Sequence, residues 1–323
     1  MNMNRRTAFA AGLAGATIGL GGMARQAAAQ PAPGGDNVSF YRFRVGDAVV
    51  TAIHEGVFVR PLEGFIRNAT MEQVKAAQEE AFMPAERVTI AISSLVVNTG
   101  GKLVLIDTGL GEFAPPTAGR WMANFRAAGF DPANVDTVVI SHFHGDHING
   151  LRRRNGEAVF PRAEVKVPAP EWDFWMDDTR AAGAPDGLKP NFANVRRVFA
   201  PMAKDVTRYI WGQEVAPGLT AIAAAGHTPG HTAYALTSGG GRLMVMSDTT
   251  NAPHLFVRNP DWAAIFDMDA DAARATRHKL LDMAANERLQ TSFYHAPFPA
   301  TGYIARDGAN RYRMVPAMWQ PAI

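Results

Sequence analysis

The chain has no cysteine among its 323 residues. That excludes a disulfide framework, a thiolate zinc site, an iron–sulfur cluster and a cysteine nucleophile, so any metal must be held by histidine and carboxylate. No uninterrupted apolar run reaches the roughly 18 residues needed to cross a bilayer, so a membrane anchor is not expected. There is no Gly-x-Ser-x-Gly elbow to present a serine nucleophile. A basic surplus is missing too. Of the 32 lysines and arginines, Arg5, Arg6 and Arg25 lie in the first 29 residues, where there is no acid; the other 29 face 30 acidic residues, a net charge of −1. A nucleic-acid partner is therefore not expected.

What is present reads as an ordinary globular chain, 47% hydrophobic and 19% charged. The first 29 residues carry Arg5-Arg6, a Gly- and Ala-rich apolar stretch from Ala8 to Ala24, and Ala27-Ala28-Ala29. A charged start, a short apolar middle and a small-residue end make a removable export signal. The paired arginines resemble a twin-arginine signal, with a Sec signal as the alternative. The expected organisation is a signal over 1–29, a flexible leader over 30–39 and one domain over 40–323, exported to the periplasm or secreted.

Within that domain, Tyr41–Asp47 and Ala48–Ile53 read as a hairpin about a Gly-Asp turn. Thr70-Met71-Glu72-Gln73 has the pattern of a capping box, predicting a helix from Met71 to about Phe82. Ile90–Asn98, Lys102–Ile106, Val135–Ile140, Leu219–Ala224 and Leu243–Ser247 are expected strands. Helices are expected at Thr117–Ala128, Trp172–Asp178 and Ala270–Ala285, the last with Ala272, Ala275, Leu280 and Leu281 inward. Tyr303–Arg306 and Tyr312–Val315 form a final hairpin.

The most informative segment is Ser141-His142-Phe143-His144-Gly145-Asp146-His147, at the end of an apolar strand. Three of the nine histidines fall within six residues there. Residues two apart on extended backbone face the same way, so His142 and His144 can grip one ion. Gly145 permits a sharp reversal, turning Asp146 and His147 toward a neighbouring position where a second ion fits. Three later segments also deliver ligands at strand ends: His227 in Gly226-His227-Thr228-Pro229-Gly230-His231, Asp248 after Leu243–Ser247, and His295 after Ser292-Phe293-Tyr294. Neutral imidazole and carboxylate suit zinc, manganese or iron.

This set, with Leu105-Ile106-Asp107-Thr108-Gly109 before it, resembles the metallo-β-lactamase superfamily over nearly all of residues 40–323. Val96–Val104, Gly226–Thr232 and His295-Ala296-Pro297-Phe298-Pro299 are similar to the methyl parathion hydrolase group within it. The resemblance implies an α+β fold, a four-layer αββα sandwich. It implies that His142, His144 and His227 bind one divalent ion, that Asp146, His147 and His295 bind a second, and that Asp248 bridges them. Zn2+ is the first candidate, with Mn2+, Fe2+ or Co2+ as alternatives. The implied activity is hydrolysis of ester-like small molecules (phosphotriester, lactone or aryl ester) by a metal-bridging hydroxide that Asp146 orients. β-Lactam or thioester hydrolysis is the alternative on the same site, and an iron-dependent persulfide dioxygenase is a more distant one. Relatives often dimerise, which makes a homodimer an expectation. Two positions depart from the family pattern: Ser247 stands where Gly is common, and Gly145 where Pro or Ala is.

Other residues receive smaller roles. Asp107 is expected to cap its turn and to orient a ligand imidazole. His231 reads as structural, His54 and His278 as locally bonded, and His254 as a residue at the pocket rim. Arg152-Arg153-Arg154 reads as a solvated turn. Trp172, Phe174 and Trp175 are core or a substrate wall, and Val59–Phe65 is a lid with Phe65 over the metals.

Overall fold

The computed structural model describes residues 37, 39–321 and 323. The expected export signal and nearly all of the expected leader lie outside them. The unit from Val38 to Ile323 carries every element named below.

Among the described residues, fourteen strands form two seven-stranded sheets, each in chain order. The first contains β1 (Phe40–Val45), β2 (Ala48–Pro61), β3 (Arg87–Thr99), β4 (Lys102–Ile106), β5 (Thr137–Val139), β6 (Glu164–Pro168) and β7 (Thr207–Tyr209). The second contains β8 (Glu214–Ala216), β9 (Leu219–Ala223), β10 (Thr232–Ser238), β11 (Gly241–Val245), β12 (Gln290–Ser292), β13 (Thr301–Arg306) and β14 (Tyr312–Pro316). Pairing is antiparallel from β1 to β4 and parallel from β4 to β7. In the second sheet only β11 and β12 run parallel. The helices are α1 (Met71–Glu80), α2 (Trp121–Ala127), α3 (Gly145–Ile148), α4 (Ala169–Trp175), α5 (Asp178–Ala182), α6 (Lys189–Phe199), α7 (Pro253–Phe256) and α8 (Ala270–Asn286).

Alternation along the strands makes the layers. In β4, Val104 and Ile106 enter the core between the sheets, while Leu105 faces outward onto α2, α4 and α6. In β11, Leu243 and Val245 join the same inner core and Met244 faces Leu280, Leu281 and Ala284 of α8. A strand apolar on both faces needs cover on both, and the helices provide it. The result is the expected four-layer sandwich. A polar link joins the sheets. The hydroxyls of Tyr209 on β7 and Tyr234 on β10 both donate to the Ile140 carbonyl at 2.9 Å, just past β5.

The capping box at Thr70 and Gln73 is present, with both reciprocal bonds. Four expectations need correction. The helix predicted from Thr117 starts at Trp121, because Val57 N–H donates to Thr117 C=O and Thr117 Oγ1 donates to Val57 C=O, which docks this segment on β2. The helix predicted at Trp172–Asp178 is displaced to Ala169–Trp175; the Asp177 side chain caps the next helix by accepting from Arg180 N–H. Ala275 of α8 is exposed and Ala272 half-buried; the inward positions are Ala273, Arg277, Leu280, Leu281 and Ala284. Hydrophobicity alone places an arginine outside. The Arg277 guanidinium in fact donates to the carbonyls of Thr249, Pro260 and Trp262 and pairs with Asp267 at 3.3 Å, so its charge is fully answered inside. Finally, Val59–Phe65 is no lid: Val59–Pro61 continue β2, and Phe65 packs in the core against Phe256 and Phe266.

Truncating the inward arginine would strand Asp267 as a buried, uncompensated carboxylate. Arg277→Leu should lower the unfolding free energy in a denaturant titration by about 3–5 kcal/mol. Ala275→Glu on the exposed face should change it by no more than about 0.5 kcal/mol.

Candidate metal centre

Every expected ligand lies just past the C-terminal end of a strand, or in α3 immediately after. β5 runs into His142; His144 N-caps α3, which carries Asp146 and His147; β9 leads to His227, β11 to Asp248 and β12 to His295. The backbone is bent hard at two of these exits. Asp107 after β4 has φ +60° and Ser247 after β11 has φ +46°, the left-handed region that glycine enters most readily. Ser247 thus occupies the conformation that explains why Gly is common there, and its hydroxyl donates to Thr232 C=O at 2.8 Å. Gly145 works differently from expectation: its φ is not positive, and it simply opens α3. A Cβ there would lie 3.0 Å from Asn149 Nδ2. At Gly226 (φ +130°) a Cβ would sit 2.1 Å from Ala273 N, so the His227 loop presses directly on α8.

The ring orientations follow from where each outer nitrogen donates. His147 Nδ1–H donates to Asp107 Oδ2 at 2.9 Å, His227 Nδ1–H to Asp267 Oδ1 at 3.1 Å, and His295 Nδ1–H to Ala91 C=O at 2.7 Å. His142 Nδ1–H reaches Ser141 Oγ at 3.0 Å, and that hydroxyl donates onward to Asp107 Oδ2 at 2.7 Å. In their neutral forms these four rings therefore present lone pairs inward. His144 Nδ1 lies 3.0 Å from both His142 Nε2 and His227 Nε2. Bare lone pairs repel at that separation unless a cation sits among them. Tetrahedral zinc bonds of 2.0–2.1 Å would set neighbouring ligand atoms about 3.3 Å apart.

Asp248 touches both sets of rings. Its Oδ2 is 3.0 Å from His295 Nε2 and 3.4 Å from His227 Nε2, and its Oδ1 is 3.2 Å from His147 Nε2. Asp146 Oδ2 lies 3.5 Å from both His147 Nε2 and His295 Nε2. The ligand atoms thus fall into two groups, one of His142, His144, His227 and Asp248, the other of Asp146, His147 and His295. Two atoms at their junction, His147 Nε2 and Asp248 Oδ1, are buried with no hydrogen-bond partner. Orphaned buried polar atoms are rare, and two aimed at one point fit a pair of divalent cations.

The electrostatics agree. Burial alone would lower His147 and His295, but Asp248 and Asp146 outweigh it and hold both above the usual imidazole range. Burial lowers His144 to about 3 and His142 well below its ordinary value, leaving them as neutral lone-pair donors. Asp146, despite burial, is drawn down to about 2 by His147 and then His295.

The remaining expectations divide. Asp107 orients His147 and also accepts from Ser141 N–H at 2.7 Å. His231 is structural: Nδ1–H donates to Ala224 C=O and Nε2 accepts from Asp248 N–H. His54 contacts Ser93 and His278 contacts Asp261, away from the ligand groups. Arg153 and Arg154 engage Glu112 in an exposed turn. His254 is not at the metal cleft; it contacts Gln78 Oε1 at 2.7 Å beside α1. Trp172, Phe174 and Trp175 pack with Phe192 and Phe199 in the outer core, not in a substrate wall.

Sequence reasoning missed four supporting residues. Asp267 fixes His227, and Arg277 fixes Asp267. Tyr294 donates its hydroxyl to Asp146 C=O at 2.6 Å and lays its ring on His147. Glu171 is fully buried, with Oε1 accepting from Phe143 N–H and Trp175 Nε1–H and Oε2 from Thr228 Oγ1–H and Gly230 N–H. It ties the two histidine loops together. An acid in the first turn of α4, directly before Trp172, was the available signal.

Over the ligands lies a cleft of about 370 Å³. Its walls are Phe58, Val59, Arg60, Ile90, Asn191, Asn251 and Phe266; its floor is His144, Gly145, Asp146, His227, Asp248 and His295.

The sequence profile of the metallo-beta-lactamase superfamily matches residues 88–289, more than half of the chain. An N-acyl homoserine lactonase AttM from Agrobacterium fabrum is 27% identical over 180 residues, and one from Azorhizobium caulinodans 26% over 182. Each match spans 52% of this chain and 65% of the relative, so it takes in less than two thirds of those proteins. Among solved structures, the hydrolase AbOPH of the beta-lactamase superfamily superposes with a TM-score of 0.83 at 27% identity. AidC, a dizinc quorum-quenching lactonase, also gives 0.83, at 25%. Both matches cover 88% of this chain and all of the other.

Protons and metal ions compete for the same lone pairs. In the metal-free protein His147 and His295 take protons at higher pH than His144 and His142 do. As pH is lowered, the Asp146–His147–His295 group should therefore lose its ion first, and elemental analysis after dialysis at stepped pH should show two equivalents falling to one before zero. Simultaneous release would contradict it. Stripping Zn2+ from protein held at about a thousandfold excess over Kd should lower stability by about 4 kcal/mol for each ion lost, seen as a fall in Tm.

Proposed function

The chain belongs to the metallo-beta-lactamase superfamily, and from that membership we propose that it is a dinuclear metal-dependent hydrolase of ester-type bonds in small molecules, lactones first among them. The observation that carries this reading is Asp248, in contact with both imidazole groups at the floor of a cleft with apolar walls. The lactonases AttM and AidC among its relatives support the choice of lactones. A place in the methyl parathion hydrolase group, and with it phosphotriester cleavage, is the finer form of the proposal.

When bound, two divalent cations would polarise the scissile oxygen and lower the pKa of a water between them toward neutrality. The chain's own residues do the rest. His142, His144 and His227 would hold one ion and Asp146, His147 and His295 the other, with Asp248 shared. Asp107 and Asp267 keep two of those rings in the tautomer that offers a lone pair inward. Asp146 faces the cleft with its side chain 16% exposed. With a pKa near 2 it is ionised at neutral pH, which makes it an acceptor that orients the attacking water rather than a store for its proton. Phe58, Ile90 and Phe266 shield the reacting bond from bulk water and take up the apolar part of the substrate.

The test is a panel of a γ-lactone, an aryl ester, a phosphotriester, a chromogenic cephalosporin and a glutathione thioester, with oxygen uptake followed in parallel. Lactone or aryl ester turnover without oxygen uptake is the expected result. Asp248→Ala should reduce kcat on the preferred substrate by on the order of 10³ and leave no more than one ion per chain. Near-normal turnover with both ions retained would refute the assignment.

A further inference from the structure

We infer that Arg60 selects substrates carrying a carboxylate some distance from the scissile bond; this rests on the hydrolase reading above and narrows its substrate class. Arg60 is the penultimate residue of β2 and lines the cleft beside Phe58. Its guanidinium lies over the Phe266 ring, 5.1 Å from the centroid, so an aromatic wall of the cleft supports it. Among the described residues no carboxylate pairs with it and no acceptor takes its N–H groups. Nearby arginines differ: Arg67 donates to Ile265 and Asp267 carbonyls, Arg258 pairs with Glu80, and Arg277 is fully bonded. Across the cleft, the side-chain amide of half-buried Asn191 also makes no hydrogen bond among the described residues.

The charge pattern makes these free donors informative. Among the described residues, the only carboxylates lining the cleft are Asp146 and Asp248, both at its floor in the candidate ligand groups. With those engaged below, Arg60 is the one charged side chain left among the described wall residues. A guanidinium offers a planar fork that matches a carboxylate in two-point geometry. Arg60 follows Phe58 by two residues on the same face of β2, and Phe58 pairs with Ile90, so the inferred order of groups along the substrate is ester at the floor, hydrocarbon against Phe58 and Ile90, anion at Arg60.

The probes are 4-nitrophenyl hydrogen adipate and its neutral counterpart of the same shape, 4-nitrophenyl 6-methylheptanoate, with the metal-loaded wild type, Arg60→Gln and Arg60→Lys. Arg60→Gln should raise KM for the adipate ester about tenfold with kcat within about twofold, and leave the neutral ester unchanged. Arg60→Lys should recover part of the loss, and raising salt from about 20 mM to about 500 mM should weaken adipate binding in the wild type and Arg60→Lys but not in Arg60→Gln. Binding of the uncleavable amide, adipic acid mono(4-nitroanilide), followed by calorimetry, gives the same comparison without turnover. Equal effects on both esters, or equal anilide binding by wild type and Arg60→Gln, would overturn the inference. Failure of the wild type to cleave either ester, with anilide binding still dependent on Arg60, would instead count against the hydrolase reading.

Discussion

Five imidazole nitrogens and two carboxylates converge on one buried space at the ends of the strands. Four of the five rings, all but His144, commit an N–H outward, to Asp107, Asp267, Ser141 or a main-chain carbonyl. What remains inside is an array of acceptors roughly 3 Å apart, with His147 Nε2 and Asp248 Oδ1 left unanswered. Like lone pairs at such distances are stable only around positive charge, whether protons or metal ions. The rest of the structure around the site can be understood as the means of holding that unfavourable arrangement in place.

Those means are drawn from all four layers. Asp107 and Ser141 hold one side through three short hydrogen bonds at the ends of adjacent parallel strands β4 and β5. On the other side, α8 presents Arg277 inward, Arg277 holds Asp267, and Asp267 holds His227. Gly226 lets the intervening loop lie against the α8 backbone, where any side chain would push them apart. Glu171 then ties the His142–His147 segment to the Thr228–Gly230 turn. Burial raises its pKa, while its four donors favour the charged form, so it acts as a bonded crosslink rather than a proton donor to the cleft. An error of about 1 Å in any ligand would weaken the grip on an ion considerably, which accounts for so many buried polar contacts far from the cleft itself.

Much of this is legible in the sequence because the ligands come in local bursts at strand ends. Three histidines and an aspartate within six residues, after an apolar strand, are hard to account for except as a metal grip, and the later ligands each close an apolar run of their own. The supports are harder to see. Asp267 lies 40 residues from His227 in a segment without periodicity, so nothing local marks it as a partner. A helix read by hydrophobicity alone sends Arg277 to solvent, since it has no means of foreseeing three carbonyls and a carboxylate waiting inside. Phe65 is the expected cover of the metals, yet with Ile66 bridged to Ala264, from a segment some 200 residues away, Phe65 lies in the core and Phe266 lines the cleft. Strands β6, β7, β8 and β10 escape pattern reading, β7 and β8 because three residues hold too little of it and β6 and β10 because polar residues interrupt their apolar run.

The division between floor and walls bears on how such a site acquires its specificity. The floor is bound to both sheets through hydrogen bonds whose geometry leaves little freedom, so it can vary only by losing ions. The walls come from the end of β2, from Ile90 on β3, from α6 and from the loop before α8, and their side chains answer to few internal partners. Arg60 and Asn191 are instances: neither side chain makes a hydrogen bond among the described residues, and both line the cleft. Chemistry and selection are therefore carried by different residues, the first set by the convergence of strand ends and the second by side chains that the sandwich leaves unbonded. A reaction class can be argued from the floor alone, whereas a substrate has to be argued from the walls.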